Sequence, residues 1–322
     1  MKDQFGRNID YMRISITDKC NLCCRYCMPE NFNKKKQCNY LSYEEIIRIC
    51  NIVSQLGIHK FKITGGEPLT RKGCVEFMRE LKTLSFTEEV TLTTNGILLE
   101  NNLEELCKGE IDAINISLDT LNLDFYRAIT NKYDVVLSDL VKSIAILRER
   151  EKRVKINTVI LEHTLQEIED LIRFSEKYGL DLRFIELMPV GILWEYKHIK
   201  SSVLLNKLKE NHPSLHAIDE KRGNGPANYF EADDIDCKIG IIDAISNCFC
   251  ENCNRIRLTS IGELKPCLAN KEGINLKSLI DKGISDIELK GIIQKIIYKK
   301  PRAHKFNEGQ INEIQRMNQI GG

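Results

Sequence analysis

Between Tyr11 and Met188, short apolar stretches alternate with stretches of helical periodicity. The six apolar stretches lie at 11–17, 59–64, 89–93, 112–118, 153–161 and 180–187. The clearest helix begins at a capping box of Ser42 and Glu45 and ends at Gly57. This alternation is typical of a parallel sheet built from βα units, so it restricts the chain to the α/β class. Because eight such units close a full barrel, six predict an open, partial (βα)6 barrel of the TIM type.

A polar face runs along the predicted strands. Side chains of a strand point alternately to its two faces, so residues two apart share a face. The residues Arg13, Lys62, Thr93, Ser117 and Lys155 fall on one shared face. A sheet covered by helices is expected to be apolar on both faces. We therefore predict that the barrel encloses a solvated binding channel; the alternative is a misassigned register in one or two strands.

Three cysteines follow the first predicted strand. Cys20, Cys24 and Cys27 are spaced C-x3-C-x2-C. Thiolates hold iron–sulfur clusters, and a cubane cluster normally takes four of them. A cluster with three protein ligands leaves one iron open for chemistry. The alternatives are a structural zinc loop or buried free thiols, although zinc sites usually pair two C-x2-C knuckles.

A second cysteine set lies near the C-terminal end. Cys250 and Cys253 form a C-x2-C pair, and Cys267 follows after thirteen further residues. Cys248 is a possible fourth ligand, which leaves a four-cysteine zinc knuckle open as an alternative. Two arginines, at positions 255 and 257, lie two apart on an apparent strand and therefore point the same way. Two guanidinium groups aimed together suit a polyphosphate.

The overall composition limits the partners. The chain has 322 residues, a hydrophobic fraction of 42% and a net charge of +1. We expect neither nucleic acid nor a membrane as a partner, because the charge gives no global attraction and no run is long enough to span a bilayer. The polar opening residues contain no apolar signal segment, so we expect a cytoplasmic protein. A boundary near residue 220 would divide a partial barrel at 1–220 from a C-terminal region at 221–322 that holds the second cysteine set and binds substrate.

Several motifs together resemble the GTP 3',8-cyclase (MoaA) family of molybdenum cofactor biosynthesis, within the radical S-adenosylmethionine (SAM) superfamily. They lie at 11–20, 63–69, 117–119, 183–186, 250–259 and 316–322, and the resemblance covers nearly the whole chain. Tyr26 directly before Cys27 completes the superfamily loop, and only Cys20, Cys24 and Cys27 match its spacing, so Cys23 is left out of the ligand set. The turn Gly65-Gly66 lacks β-carbons and resembles the superfamily turn that approaches the methionine part of SAM.

The resemblance implies two [4Fe-4S] clusters and SAM as cofactors. Cys20, Cys24 and Cys27 would hold the cluster that cleaves SAM, and Cys250, Cys253 and Cys267 a second cluster that takes the guanine base. Residues implied to contact SAM are Tyr26, Gly66, Ser117 and Met188. Those implied to contact GTP are Arg13, Lys62, Thr93, Lys155, Arg255, Ile256 and Arg257. Direct roles in catalysis are implied for Arg13, Arg255, Arg257 and the terminal Gly321 and Gly322. Lys62 stands where some relatives have arginine, so its charge is kept and the bidentate fork is lost.

The implied reaction is a radical cyclisation that joins C3' of the GTP ribose to C8 of guanine. The resemblance also implies an electron donor and, downstream, cyclic pyranopterin monophosphate synthase as partners, with the chain acting as a monomer or homodimer. One alternative is another radical SAM enzyme with an auxiliary cluster, such as a peptide maturase. A second alternative is a non-enzymatic module that binds zinc at both cysteine sets.

Overall fold

One 12-stranded sheet forms the centre of the computed structural model, which describes residues 1–28, 39–190, 198–306, 313 and 315–322. The strands are β1 (Tyr11–Ser15), β2 (Lys60–Thr64), β3 (Glu89–Thr94), β4 (Ala113–Ser117), β5 (Val154–Val159), β6 (Asp181–Ile185), β7 (His216–Ile218), β8 (Asn228–Ala232), β9 (Ile235–Ile242), β10 (Arg255–Leu258), β11 (Glu263–Lys265) and β12 (Ile274–Asn275). The helices are α1 (Tyr43–Ser54), α2 (Cys74–Thr83), α3 (Leu103–Lys108), α4 (Leu123–Thr130), α5 (Leu137–Glu149), α6 (Ile168–Tyr178), α7 (Ser201–Asn211), α8 (Leu276–Ile280), α9 (Asp286–Tyr298) and α10 (Met317–Ile320).

The sheet order is β12-β11-β10-β1-β2-β3-β4-β5-β6-β9-β8-β7. All neighbours from β10 through β1–β6 to β9 pair in parallel, and the strands beyond them pair antiparallel. In the described ranges β12 and β7 are the two ends of the order, so the sheet does not close into a barrel. The predicted α/β class and the open form of the barrel are confirmed.

The outer face of the sheet is apolar and packs against helices. Met12, Phe61 and Leu92, on three successive strands, are fully buried in the main core. Helix α1 begins at the predicted capping box, in which Ser42 Oγ accepts from the Glu45 amide, and buries Ile49 toward the sheet. Full burial of each such side chain contributes about 1.5–3 kcal/mol, so the apolar face fixes which side chains point inward.

Two strands outside the βα alternation, β10 and β9, flank the six predicted ones. β10 pairs with β1 and β9 pairs with β6, although each is separated from its partner by a long stretch of chain. The proposed boundary near residue 220 thus lies between strands of the same sheet, since Leu182 of β6 pairs with Ile239 of β9. The division at 220 stays a prediction.

A buried arginine ties the N-terminal residues to the second cysteine set. Arg7 Nε donates to Asp3 Oδ2 at 2.6 Å, and its Nη1 donates to the Cys250 carbonyl oxygen at 2.7 Å. The same guanidinium also donates to the carbonyl oxygens of Pro301 and Arg302. One planar group therefore holds three separate segments together, which a point charge such as lysine cannot do.

We predict that Arg7→Ala lowers the free energy of unfolding by about 3–5 kcal/mol, because it leaves the buried Asp3 carboxylate without its cation. Denaturant titration under anaerobic conditions measures this change. Arg79→Ala is the matched control, since the Arg79–Glu105 pair is exposed and such pairs contribute at most about 1 kcal/mol. Equal losses in the two variants would contradict the structural role given to Arg7.

Candidate active site

A cavity of about 290 Å³ lies on the inner face of the sheet. Its wall includes inward side chains of β10, β1, β2, β3, β4, β5 and β6. Both cysteine trios also line it, namely Cys20, Cys24 and Cys27 together with Cys250, Cys253 and Cys267. The predicted interior channel therefore exists, and of the residues assigned to its polar face Arg13, Lys62, Thr93 and Ser117 line it, whereas Lys155 does not.

Strand direction separates the two cysteine trios. Cys20 follows the carboxyl end of β1, whereas Cys253 precedes the amino end of β10. Because β1 and β10 are parallel, these two ends lie at opposite edges of the sheet. Cys267 follows β11, which is antiparallel to β10, and so it lies at the same edge as Cys253. The cavity is thus bounded by one trio at each edge.

The first cysteine loop is anchored by backbone hydrogen bonds. The amides of Cys23 and Arg25 donate to the carbonyl oxygens of Thr130 and Ile129, at the end of α4. The Cys27 amide donates to the Cys24 carbonyl oxygen at 2.8 Å, which folds the loop into a tight turn.

The width of each trio decides what it can hold. Among the described residues, Cys248, Cys250 and His304 form the one group of three such ligands within 4.8 Å of one another. The sulfurs of Cys20, Cys24 and Cys27 are therefore spread more widely than the roughly 3.8 Å between thiolates on one tetrahedral ion. The same holds for the second trio, so neither trio has the spacing of a single zinc site.

The glycine turn after β2 packs against the residues that lead into the first cysteine loop. A β-carbon on Gly66 would lie 2.4 Å from the Lys19 carbonyl oxygen, and one on Gly65 would lie 2.6 Å from that of Thr17. Only glycine fits at either position. The close approach that the sequence predicted toward a ligand is made here to the chain's own backbone, and both glycines also line the cavity.

Glu67, the next residue, is fully buried and ties two strand ends together. Its carboxylate accepts from the Asn95 amide at 2.7 Å, the Leu69 amide at 3.0 Å and Thr94 Oγ1 at 2.8 Å. Burial raises the pKa of Glu67 to about 7 despite these donors. Asn95 in turn connects these strand ends to the first cysteine loop, because its Nδ2 lies 3.7 Å from Cys20 Sγ.

Tyr26, Ser117 and Met188 all line the cavity beside the first trio. Tyr26 donates to Asp119 Oδ2 at 2.6 Å, and Asp119 Oδ1 accepts from the Val159 amide at 2.8 Å. Burial and the neighbouring Asp119 charge raise the pKa of Tyr26, so it remains a neutral hydrogen-bond donor. Met188 reaches the cavity because it lies beyond the end of β6 and no longer follows the alternation of that strand.

Three cations stand side by side on adjacent strands. Arg13 of β1 is in register with Arg257 of β10 and with Lys62 of β2. All three line the cavity, and Arg183 of β6 joins them from the far side. Burial, followed by repulsion from Arg13 and Arg183, holds the pKa of Lys62 well below its usual range. Burial and the nearby Arg13 lower the pKa of Arg257 in the same way.

Two of these cations have donors with no acceptor. The Nε atoms of Arg13 and Arg183 are buried, and no hydrogen-bond partner for them exists within the described ranges. Buried donors without partners are rare and costly, so they indicate that a ligand completes the site. Clustered cations with free donors are suited to a polyanion.

Some of the predicted residues lie elsewhere. Arg255 and Thr93 reach the cavity wall, but Lys155 and Ile256 do not. Lys155 pairs with Asp181 at 3.2 Å, and its pKa falls to about 8 through burial and repulsion from Arg183. Ile256 is fully buried on the outer face between two inward arginines.

Several residues at the wall have no binding or catalytic role predicted from the sequence. They include Asn157, Arg183, Lys300 and His304. Lys300 is 2% exposed and donates to the carbonyl oxygens of Arg255 and Pro266. Burial opposes ionisation of Cys253, but the charges of Arg255 and Lys300 outweigh it and lower the pKa of that thiol to about 6. The alternation that predicts the polar face also places Asn157 on it, two residues from Lys155.

The C-terminal tail lies against the cavity. Thr64 Oγ1 donates to the Gly322 carbonyl oxygen at 2.8 Å, and Arg257 donates to that of Gly321. A β-carbon on Gly321 would lie 2.9 Å from Ser15 Cβ, and the residue has φ +85°. Further back, Glu313 forms a buried ion pair with Lys265 at 2.5 Å.

Comparison with known proteins gives consistent family matches. Residues 14–175 match the radical SAM superfamily, and residues 180–306 match the family described as Molybdenum Cofactor Synthesis C. The chain is 45% identical over 327 residues to a GTP 3',8-cyclase of Clostridium perfringens strain SM101, with 100% of both chains covered. It is 39% identical over 331 residues to one of Desulforamulus reducens, again with 100% of both covered.

This chain belongs to the GTP 3',8-cyclase family. It is therefore a radical SAM enzyme that uses SAM and two [4Fe-4S] clusters, which confirms the family, the enzyme class and the cofactors expected from the sequence. The structure of Streptococcus suis SuiB bound to S-adenosylmethionine has the same fold, with a TM-score of 0.63 at 17% identity over 89% of this chain and 68% of that one. In the described part of this cyclase, no helix is long and apolar enough to cross a membrane.

Proposed function

We propose that this chain converts GTP to (8S)-3',8-cyclo-7,8-dihydroguanosine 5'-triphosphate. The observation that carries the proposal is the cavity itself, which has a cysteine trio at each edge and buried cations between them. A nucleoside triphosphate has the matching shape, because its base and its triphosphate are at opposite ends of the ribose. The relatives named GTP 3',8-cyclase support this choice of nucleotide.

At the first edge, Cys20, Cys24 and Cys27 would hold the cluster that binds SAM. Bound there, SAM supplies the radical that takes hydrogen from the substrate. Gly66, Ser117 and Met188 would line the SAM site. Tyr26 stays neutral and is held by Asp119, so its role is to orient the loop and exclude water.

At the second edge, Cys250, Cys253 and Cys267 would hold the cluster that takes guanine. Arg13, Lys62 and Arg257 would bind the triphosphate, and Arg255 and Thr93 would contact the rest of the nucleotide. Lys155 and Ile256 do not line the cavity, so they would support the lining residues without touching the nucleotide. Holding C3' against its reaction partner in this way can contribute about 7–11 kcal/mol to lowering the barrier.

The proposal extends to partners and location. An electron donor must reduce the first cluster, and cyclic pyranopterin monophosphate synthase would consume the product. A cytoplasmic location supports both clusters, since their thiolate ligands need a reducing environment. Residues 1–220 would then supply the SAM site and residues 221–322 the second cluster.

The direct test is anaerobic incubation of the reconstituted chain with SAM, dithionite and one of GTP, ATP or a peptide. We expect about eight irons per chain, and 5'-deoxyadenosine release in proportion to GTP consumed. ATP serves as the matched control for a triphosphate with the wrong base. Turnover coupled to the peptide would instead favour a peptide-modifying enzyme.

We predict that GTP binding is accompanied by proton uptake at Lys62. Burial and the neighbouring cations lower the pKa of Lys62 before binding, whereas a bound triphosphate favours the charged form and raises that pKa. Affinity should therefore fall as the pH rises. Calorimetric titration with GTP, in buffers of different ionisation enthalpy, measures the uptake.

Lys62→Arg is the control for this prediction, because arginine stays charged throughout and should remove the Lys62 share of the uptake. Lys62→Met should weaken GTP binding by roughly 10–100-fold, the value of a lost charged hydrogen bond. An unchanged proton uptake in Lys62→Arg would exclude Lys62 as its source.

We further predict that Gly321→Ala strongly lowers the rate of cyclisation while both clusters remain. The added methyl group would collide with Ser15 and Thr64, which moves the tail out of the site. Deletion of Gly321 and Gly322 should have the same effect. Product formation at the parent rate after this deletion would refute a role for the tail.

Gly283→Ala is the matched control for Gly321→Ala. Gly283 has φ +78°, so the substitution carries the same left-handed strain of about 1–2 kcal/mol. A β-carbon there meets nothing within 4 Å, and the residue lies between α8 and α9, away from the cavity. Normal turnover in this control would assign the loss to the collision rather than to backbone strain.

A further inference from the structure

Cys248, Cys250 and His304 form a compact group beside the second cysteine trio. The two Sγ atoms and one imidazole nitrogen all lie within 4.8 Å of one another. Cys248 Sγ is 3.4 Å from His304 Nε2, although 56 residues separate them in the chain. This group shares only Cys250 with the set assigned to the second cluster.

The spacing of the group fits one tetrahedral metal ion. With metal–sulfur bonds near 2.3 Å and metal–nitrogen bonds near 2.0–2.1 Å, a tetrahedral sulfur–nitrogen edge is roughly 3.5 Å. The Cys248–His304 distance of 3.4 Å agrees with that edge. Two thiolates and one imidazole are ligands that zinc and ferrous ions accept.

We propose that Cys248, Cys250 and His304 bind a single divalent transition-metal ion, Zn²⁺ or Fe²⁺, when the second cluster is absent. The fourth position of that ion is left to water. Because Cys250 serves both sites, the single ion and the cluster exclude each other. This mutual exclusion rests on the proposed function, because that function assigns Cys250 to the cluster. The three-ligand geometry itself is independent of the proposed function.

The ring orientation of His304 suits a ligand role, although metal binding would cost two hydrogen bonds. Its ring packs on Phe306 with centroids 4.5 Å apart, which fixes its orientation. Nε2 lies 2.8 Å from the Ala244 carbonyl oxygen, and the Phe306 amide approaches Nδ1 at only 3.4 Å. A metal ion would replace the proton on Nε2, and the ring would then carry its proton on Nδ1. The hydrogen bond to the Ala244 carbonyl oxygen and the long contact with the Phe306 amide would both be lost.

A consequence follows for assembly of the enzyme. A zinc ion held by Cys248, Cys250 and His304 would occupy Cys250 and block the second cluster, while the first cluster at the other edge could still form. Cys248 is the residue that gives the chain this competing site, since the three assigned cluster cysteines do not need it.

The test uses three single substitutions in the full-length chain. Cys248→Ser removes a ligand of the single ion but none of the cluster, whereas Cys267→Ser removes a ligand of the cluster but none of the single ion. Cluster-free protein is titrated anaerobically with Co²⁺, whose thiolate charge-transfer absorption reports coordination. We expect Cys267→Ser to bind Co²⁺ at this site as the parent does, and Cys248→Ser and His304→Gln to bind it at least about tenfold more weakly.

The second readout is iron content after cluster reconstitution in the presence of Zn²⁺. The parent should fall from about eight to about four irons per chain, and Cys248→Ser should stay near eight. Formation of the first cluster in every variant shows that the chain is folded. Parent-like Co²⁺ binding in Cys248→Ser, or equal zinc sensitivity, overturns the single-ion site. A second cluster that persists in Cys267→Ser would overturn the proposed function instead.

Discussion

The side-by-side placement of Arg257, Arg13 and Lys62 is the constraint on which the rest of the structure depends. Parallel pairing puts them on neighbouring strands about 4.8 Å apart. Their side chains must point inward, because the alternate residues of the same strands are buried against helices on the outer face. Three buried like charges at this spacing repel one another, so the fold itself favours a polyanion in its interior.

The length of the strands sets the distance between the two chemical ends of the cavity. β1 has five residues, which span about 16 Å at 3.3 Å per residue. A cysteine trio lies beyond each end of that span, because β1 and β10 run in the same direction. A single small substrate could not span this distance, whereas SAM at the first edge and an extended nucleotide at the second could fill it together. The parallel pairing of β1 with β10 therefore selects the size of the ligand as well as the shape of the site.

The sequence was sufficient wherever the information was local. The six strands with their inward faces, the capping box at Ser42 and both cysteine spacings follow from periodicity and motif, and the structure has the six strands and the capping box. The pairing of β10 with β1 could not be predicted, since it joins residues some 244 apart and no local pattern encodes it. For the same reason the sequence did not reveal Arg7 beneath Cys250, Lys300 beside Cys253 or Lys265 paired with Glu313. Each of these is a buried charge whose partners lie far away in the sequence. The partners are backbone carbonyl oxygens or side chains.

The C-terminal residues Gly321 and Gly322 supply backbone acceptors to the cation cluster. Arg257 donates to the Gly321 carbonyl oxygen and Thr64 to that of Gly322, so backbone oxygens take positions where an anion would be expected. A carbonyl oxygen carries only a partial charge, and a phosphate oxygen is the stronger acceptor for a buried guanidinium. A triphosphate that reaches Arg257 must therefore compete with the tail or share the arginine with it. Because any side chain at Gly321 would press on Ser15 and Thr64, only glycine can come this close to the cation cluster.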